Sequence, residues 1–117
     1  MTNPRLNLVV IRSDEPARTV GFYELLGLRF QSEQHGKGPM HWAAECRGVV
    51  FEIYSVKSPD EVNRTTRLGF EVDDVKSVIE SLRQQGFEIT NDMKQTQWGL
   101  RAVVKDPDGR SVELTRK

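Results

Sequence analysis

Two glutamates share one local pattern. Glu52 lies between Phe51 and Ile53, four residues after Gly48, and Glu113 lies between Val112 and Leu114, four residues after Gly109. Alternation along a strand sends each carboxylate to the face opposite its apolar neighbours. Two carboxylates brought to one site could hold a divalent cation, act as general bases, or pair with a protein cation. Other donors are scarce. His35 and His41 are the only imidazoles and Cys46 the only thiol. That set argues against a structural zinc site and excludes an intrachain disulfide. No nucleophile stands beside a base, and His35-Gly36-Lys37-Gly38 is too short to cradle a phosphate.

The same alternation groups further residues. Val50, Glu52 and Tyr54 share one face, as do Ser111, Glu113 and Thr115, and Val10, Gly69 and Glu71 join them. Aromatic and polarisable side chains (Tyr54, Trp42, Trp98, Met40, His41) suit a pocket for an apolar or aromatic ligand. The alternative for Trp42 and Trp98 is packing or a dimer interface.

Composition bounds the choice. The 117 residues carry 17 Lys plus Arg and 17 Asp plus Glu. A balanced charge gives no basic footprint for nucleic acid. No run is long and apolar enough for a membrane span, and no secretory leader is visible. With a lone cysteine, the expectation is a cytoplasmic protein.

The elements that must position these residues read in order. Leu6–Ile11 is a strand. Ser13 or Asp14 caps a helix with Pro16 in its first turn and Ala17, Val20, Tyr23 and Leu26 inward, Phe22 and Leu25 widening the stripe, stopped by Gly27. Strands follow at Leu28–Gln34, Met40–Cys46 and Val49–Val56. Residues 57–65 lack periodicity and read as a linker. Thr66–Val72 is a strand, and Asp73 or Asp74 caps a second helix. Its Val75, Val78, Ile79 and Leu82 form an amphipathic stripe that ends at Gly86. Strands then begin at Phe87 and at Trp98. The last begins at Arg110, after a tight Asp106-Pro107-Asp108-Gly109 turn. The two halves align at an offset of 59, from Glu15–Gly27 to Asp74–Gly86, which becomes 61 at Gly48 and Gly109. The chain is one unit written twice: residues 1–56, a linker at 57–65, and residues 66–117.

Two βαβββ units resemble the vicinal oxygen chelate superfamily, which includes glyoxalase I, bleomycin-resistance proteins and extradiol dioxygenases. The likeness rests on Phe22-Tyr23 in the first helix, Val72-Asp73-Asp74-Val75 opening the second, and Asp106-Pro107-Asp108-Gly109 before Val112-Glu113-Leu114. It implies an α+β fold with a curved, incompletely closed eight-stranded sheet around a cleft and both helices outside. It also implies a metal site on the first and last strand of each unit. The last-strand positions are Glu52 and Glu113. The first-strand positions are Leu8 (Asn7 if the register slips) and Arg67. Leucine ligates nothing, and arginine is a permanent cation. Arg67 could instead bridge Glu52 and Glu113 as a built-in counter-ion. The expectation is a metal-free module binding a small organic molecule, frequently a homodimer in such proteins, with His41, Trp42, Tyr54, Arg67 and Trp98 as ligand-binding candidates. One alternative is a metal-dependent lyase or dioxygenase using Glu52, Glu113 and His41 on one divalent ion. Another is a cofactor-free enzyme with Glu52 or Glu113 as base and Arg67 as electrophile.

Overall fold

A computed structural model describes residues 2–116, so Met1 and Lys117, the outer bounds of the two units, lie outside the described residues. The fold is α+β. The first unit runs β1 (Leu8–Ser13), α1 (Pro16–Leu25), β2 (Gln31–Glu33), β3 (His41–Cys46) and β4 (Val49–Ser55). The second runs β5 (Leu68–Glu71), α2 (Val75–Gln84), β6 (Ile89–Thr96), β7 (Gly99–Lys105) and β8 (Ser111–Arg116). The eight strands form two four-stranded sheets of identical topology, β1-β4-β3-β2 and β5-β8-β7-β6. No ladder joins them, so the open sheet around a cleft is two separate halves among the described residues.

The register repeats as the sequence does. Glu52 is opposite Val10 across the parallel β1–β4 pair, and Glu113 is opposite Gly69 across β5–β8. The second unit's two extra residues are split: one enters β6, where the register shifts, and one enters the β7–β8 turn, since Ala43 pairs with Glu52 but Val103 with Glu113.

Each sheet buries one face. Ile11, Phe51 and Ile53 of the first sheet join Ala102, Val104, Val112 and Leu114 of the second in a single core with both helices. Phe22 meets Phe87 at 5.2 Å, and Phe70 meets both Tyr23 and Phe51 within 6 Å, stitching the units together. Helix α2 buries Val75, Ile79 and Leu82, as its spacing predicts. Helix α1 differs. Phe22, Tyr23 and Leu26 are buried as expected, but Ala17 is exposed, Val20 only half-buried and the polar Thr19 buried. Thr19 is accommodated there by a hydrogen bond into the second unit, where its hydroxyl donates to Asp108 Oδ2 at 3.1 Å.

That bond belongs to a latch. The 106–110 turn closes with Gly109 at φ +90°, a region open to glycine. It buries Asp106, Asp108 and Arg110. Arg110 Nη1 donates to Asp106 Oδ2 at 2.9 Å and to Asp108 Oδ2 at 3.2 Å. Its Nη2 donates to the Arg12 carbonyl and to Asn63 Oδ1. Tyr23 donates to Asp106 at 2.7 Å, and the Asp14 amide donates to Asp108 at 2.9 Å. The linker takes part too: Pro59–Glu61 is a single 3-10 turn, and Arg64 donates to the Asp108 carbonyl. Among the described residues, no helix is long and apolar enough to cross a membrane.

Candidate functional site

With the inner faces merged in one core, the other face of each sheet is open. On the first sheet, ladder partners place Leu8, Val10 and Arg12 of β1, Val50, Glu52 and Tyr54 of β4, and His41, Ala43 and Glu45 of β3 together. β2 adds Glu33, directly across from His41. Leu8 is 50% exposed, and Val10 and Val50 are each 38% exposed, large apolar side chains without cover.

His41 is the buried centre of this face, at 2% exposure. Its ring stacks on Tyr54 at 4.5 Å, and the Arg12 guanidinium lies over the Tyr54 ring at 5.6 Å. The His35 ring lies 5.2 Å away. His41 Nδ1 is 3.3 Å from the Pro39 carbonyl oxygen, so Nδ1 carries the proton donated there. Nε2 then points at two carboxylates, Glu33 at 3.6 Å and Glu52 at 3.5 Å.

The second sheet's open face is built on Glu113. Arg101 Nε donates to it at 2.7 Å, and Arg67 lies 3.7 Å away. The hydrogen bond from Arg101, with help from the Arg67 charge and against partial burial, holds the Glu113 carboxyl below the usual range. The bridge expected of Arg67 is therefore one-sided: among the described residues its ion pair is with Glu113, whereas Glu52 pairs with His41. Each predicted carboxylate finds its nearest nitrogen partner within its own sheet, Arg101 for Glu113 and His41 for Glu52.

The remaining predicted residues are dispersed. Trp42 is opposite Ile53, on the face away from His41, so the two neighbours do not share a pocket. Trp98 sits in the β6–β7 turn, 75% exposed. Glu71 pairs with Arg47 at 3.9 Å. Arg101 and Glu33 were missed by the sequence reading. Their signal is cross-strand placement, which needs the register rather than the local pattern.

The geometry also tests the metal position implied by the resemblance. Of Leu8, Glu52, Arg67 and Glu113, only the two glutamates carry metal-donor atoms, and Arg67 lies against one of them. These residues do not fit a metal.

The profile of the Glyoxalase/Bleomycin resistance protein/Dioxygenase superfamily matches residues 5–114. The chain belongs to this superfamily. No curated protein matches it significantly. Solved structures of the same fold include TnmS3, an antibiotic binding protein from Streptomyces sp. CB03234, 24% identical over 99% of this chain and 98% of that one, with a TM-score of 0.73. The oxidase ChaP-H2 is 19% identical over 99% and 95%, with a TM-score of 0.79. TioX from Micromonospora sp. ML1 is 21% identical over 97% and 98%, with a TM-score of 0.73. At these identities the likeness concerns the fold. At the two first-strand positions where the resemblance implies metal donors, this chain has Leu8 and Arg67.

Proposed function

We propose that this superfamily member is a small-molecule binding protein that needs no metal at the family's position. Its ligand cleft would be completed in a homodimer, by the first-sheet face of one copy and the second-sheet face of the other. The carrying observation is the pair Leu8 and Arg67, with the Arg67 guanidinium already on Glu113. A stacked Tyr54–His41 pair and bare Leu8, Val10 and Val50 offer an apolar and aromatic wall. Antibiotic binding by the similar TnmS3 supports an organic ligand of that kind. The lone Cys46 supports a reducing, cytoplasmic setting.

A second reading keeps the two acids as chemistry: a metal-dependent lyase or dioxygenase on Glu52 and Glu113. It is favoured by the imidazole lying beside Glu52.

Titration with aromatic antibiotics, bleomycin among them, in excess EDTA separates the two. Tryptophan fluorescence and calorimetry are the readouts. Saturable binding in EDTA that Tyr54→Ala weakens about tenfold, the scale of one lost aromatic contact, is the expected result. Binding or turnover that appears only after a divalent metal is added overturns the first reading in favour of the second.

A further inference from the structure

Three donors outside the family's metal position converge at one end of the first sheet. A ligand atom from each of Glu33, His35 and His41 lies within 4.8 Å of the other two. Glu52 stands outside that group but close to it, 3.5 Å from His41 Nε2. The strand register builds the group. Glu33 is the direct cross-strand neighbour of His41, and Glu52 is its diagonal neighbour on the other side. His35 reaches in from the loop that follows β2.

The second observation is His41 Nε2 itself. It is a fully buried nitrogen with no hydrogen-bond partner among the described residues. Nδ1 faces the Pro39 carbonyl, so in the neutral ring Nε2 holds a lone pair. That lone pair points at two carboxylates, acceptors facing an acceptor. The arrangement is unfavourable for a neutral ring unless a cation lies between them.

We propose that Glu33, His35, His41 and Glu52 bind a divalent first-row transition ion such as zinc. Two imidazoles and two carboxylates are a borderline donor set that suits such an ion. A tetrahedral zinc with bonds near 2.0–2.1 Å sets its ligand atoms about 3.3 Å apart. The 3.6 Å and 3.5 Å separations from Nε2 to Glu33 and Glu52 already approach that edge. The Pro39 carbonyl supplies the outer hydrogen bond that orients a metal-bound histidine and fixes its tautomer. The ion would tie the β2 end and its loop to β3 and β4, at the rim of the face proposed to bind ligand. The site shares only Glu52 with the family's position.

The test uses zinc and cobalt(II) alone, with the full-length protein. Competition against a chromophoric chelator gives affinity, and the visible spectrum of the cobalt form reports four-coordinate nitrogen–oxygen ligation. About one ion per chain is expected. His35→Ala and Glu33→Gln are solvent-accessible changes that leave the core untouched, and each should weaken binding at least tenfold. Glu113→Gln should leave it unchanged. Failure to retain an ion at micromolar zinc overturns the proposal, as does an affinity indifferent to either His35→Ala or Glu33→Gln. Loss of the ion in Glu113→Gln also overturns it, since the ion would then sit at the family's position. None of these readouts uses the organic ligand, so the two proposals fail separately.

Discussion

Arg110 is fully buried, and its charge is answered by Asp106 and Asp108 at 2.9 Å and 3.2 Å. A buried ion pair adds little over apolar packing, but removing one partner leaves an uncompensated charge. Arg110→Met strands two buried carboxylates, and the expected loss is about 3–5 kcal/mol, measured by urea unfolding. Asp108 gives the pH dependence. Burial pushes its carboxyl up, but this is outweighed by hydrogen bonds from the Ser13 hydroxyl and the Asp14 amide, the Arg110 charge and the Thr19 hydroxyl, so it ionises below the usual range. A folded value below the unfolded one means that its contribution is complete above about pH 4. The contribution is lost as pH falls through the depressed folded value. Melting temperature should therefore drop on acidification below that point, and Asp108→Asn should flatten the drop. A melting curve for the variant with the same acid slope as the parent would refute this. The sequence made the turn legible through Pro107 and Gly109. It did not make the latch legible, because Thr19 and Asp14 lie 89 and 94 residues from Asp108.

The two helices look equivalent in sequence, each ten residues long and each ended by a positive-φ glycine, Gly27 and Gly86. Their starts differ. Asp74 caps α2 by accepting the Ser77 amide at 3.1 Å. Glu15 makes no such bond, and α1 is anchored by Asp108 from the other unit instead. Asp74→Ala should cost about 1 kcal/mol, the usual worth of an N-cap, whereas Glu15→Ala should fall within about 0.5 kcal/mol of the parent. Equal losses in chemical denaturation would mean that the repeat is capped symmetrically after all. Element order, the repeat offset and the inward stripe of α2 were legible because they depend on local periodicity. The burial of Thr19 in α1 was not, since a tertiary hydrogen bond to Asp108 decides it. Placing His41 and Trp42 in one pocket ignored the alternation that the β3 ladder enforces.

At the scale of the molecule, the separation of Glu52 from Glu113 onto the open faces of two different sheets could not be read from sequence. The repeat fixes each sheet, but the shared core fixes how the sheets are disposed, and that depends on contacts such as Phe51 with Phe70. The open faces carry opposite bias. The first sets Glu33, Glu45 and Glu52 against one Arg12, while the second sets Lys94, Arg101, Lys105 and Arg67 against Glu71 and Glu113. Unlike faces of two copies are therefore complementary, and like faces repel. Bare Leu8, Val10 and Val50 supply apolar area at the centre of the first face. Light scattering after gel filtration should give twice the chain mass of 13.4 kDa. Leu8→Asp should give a single chain whose thermal unfolding stays within a few degrees of the parent, because residue 8 lies outside the core. It should also abolish ligand binding if the cleft is shared between copies. A Leu8→Asp protein that remains dimeric would place the interface elsewhere. A monomeric one that still binds its ligand would confine the site to one sheet, with His41 and Tyr54 as its floor.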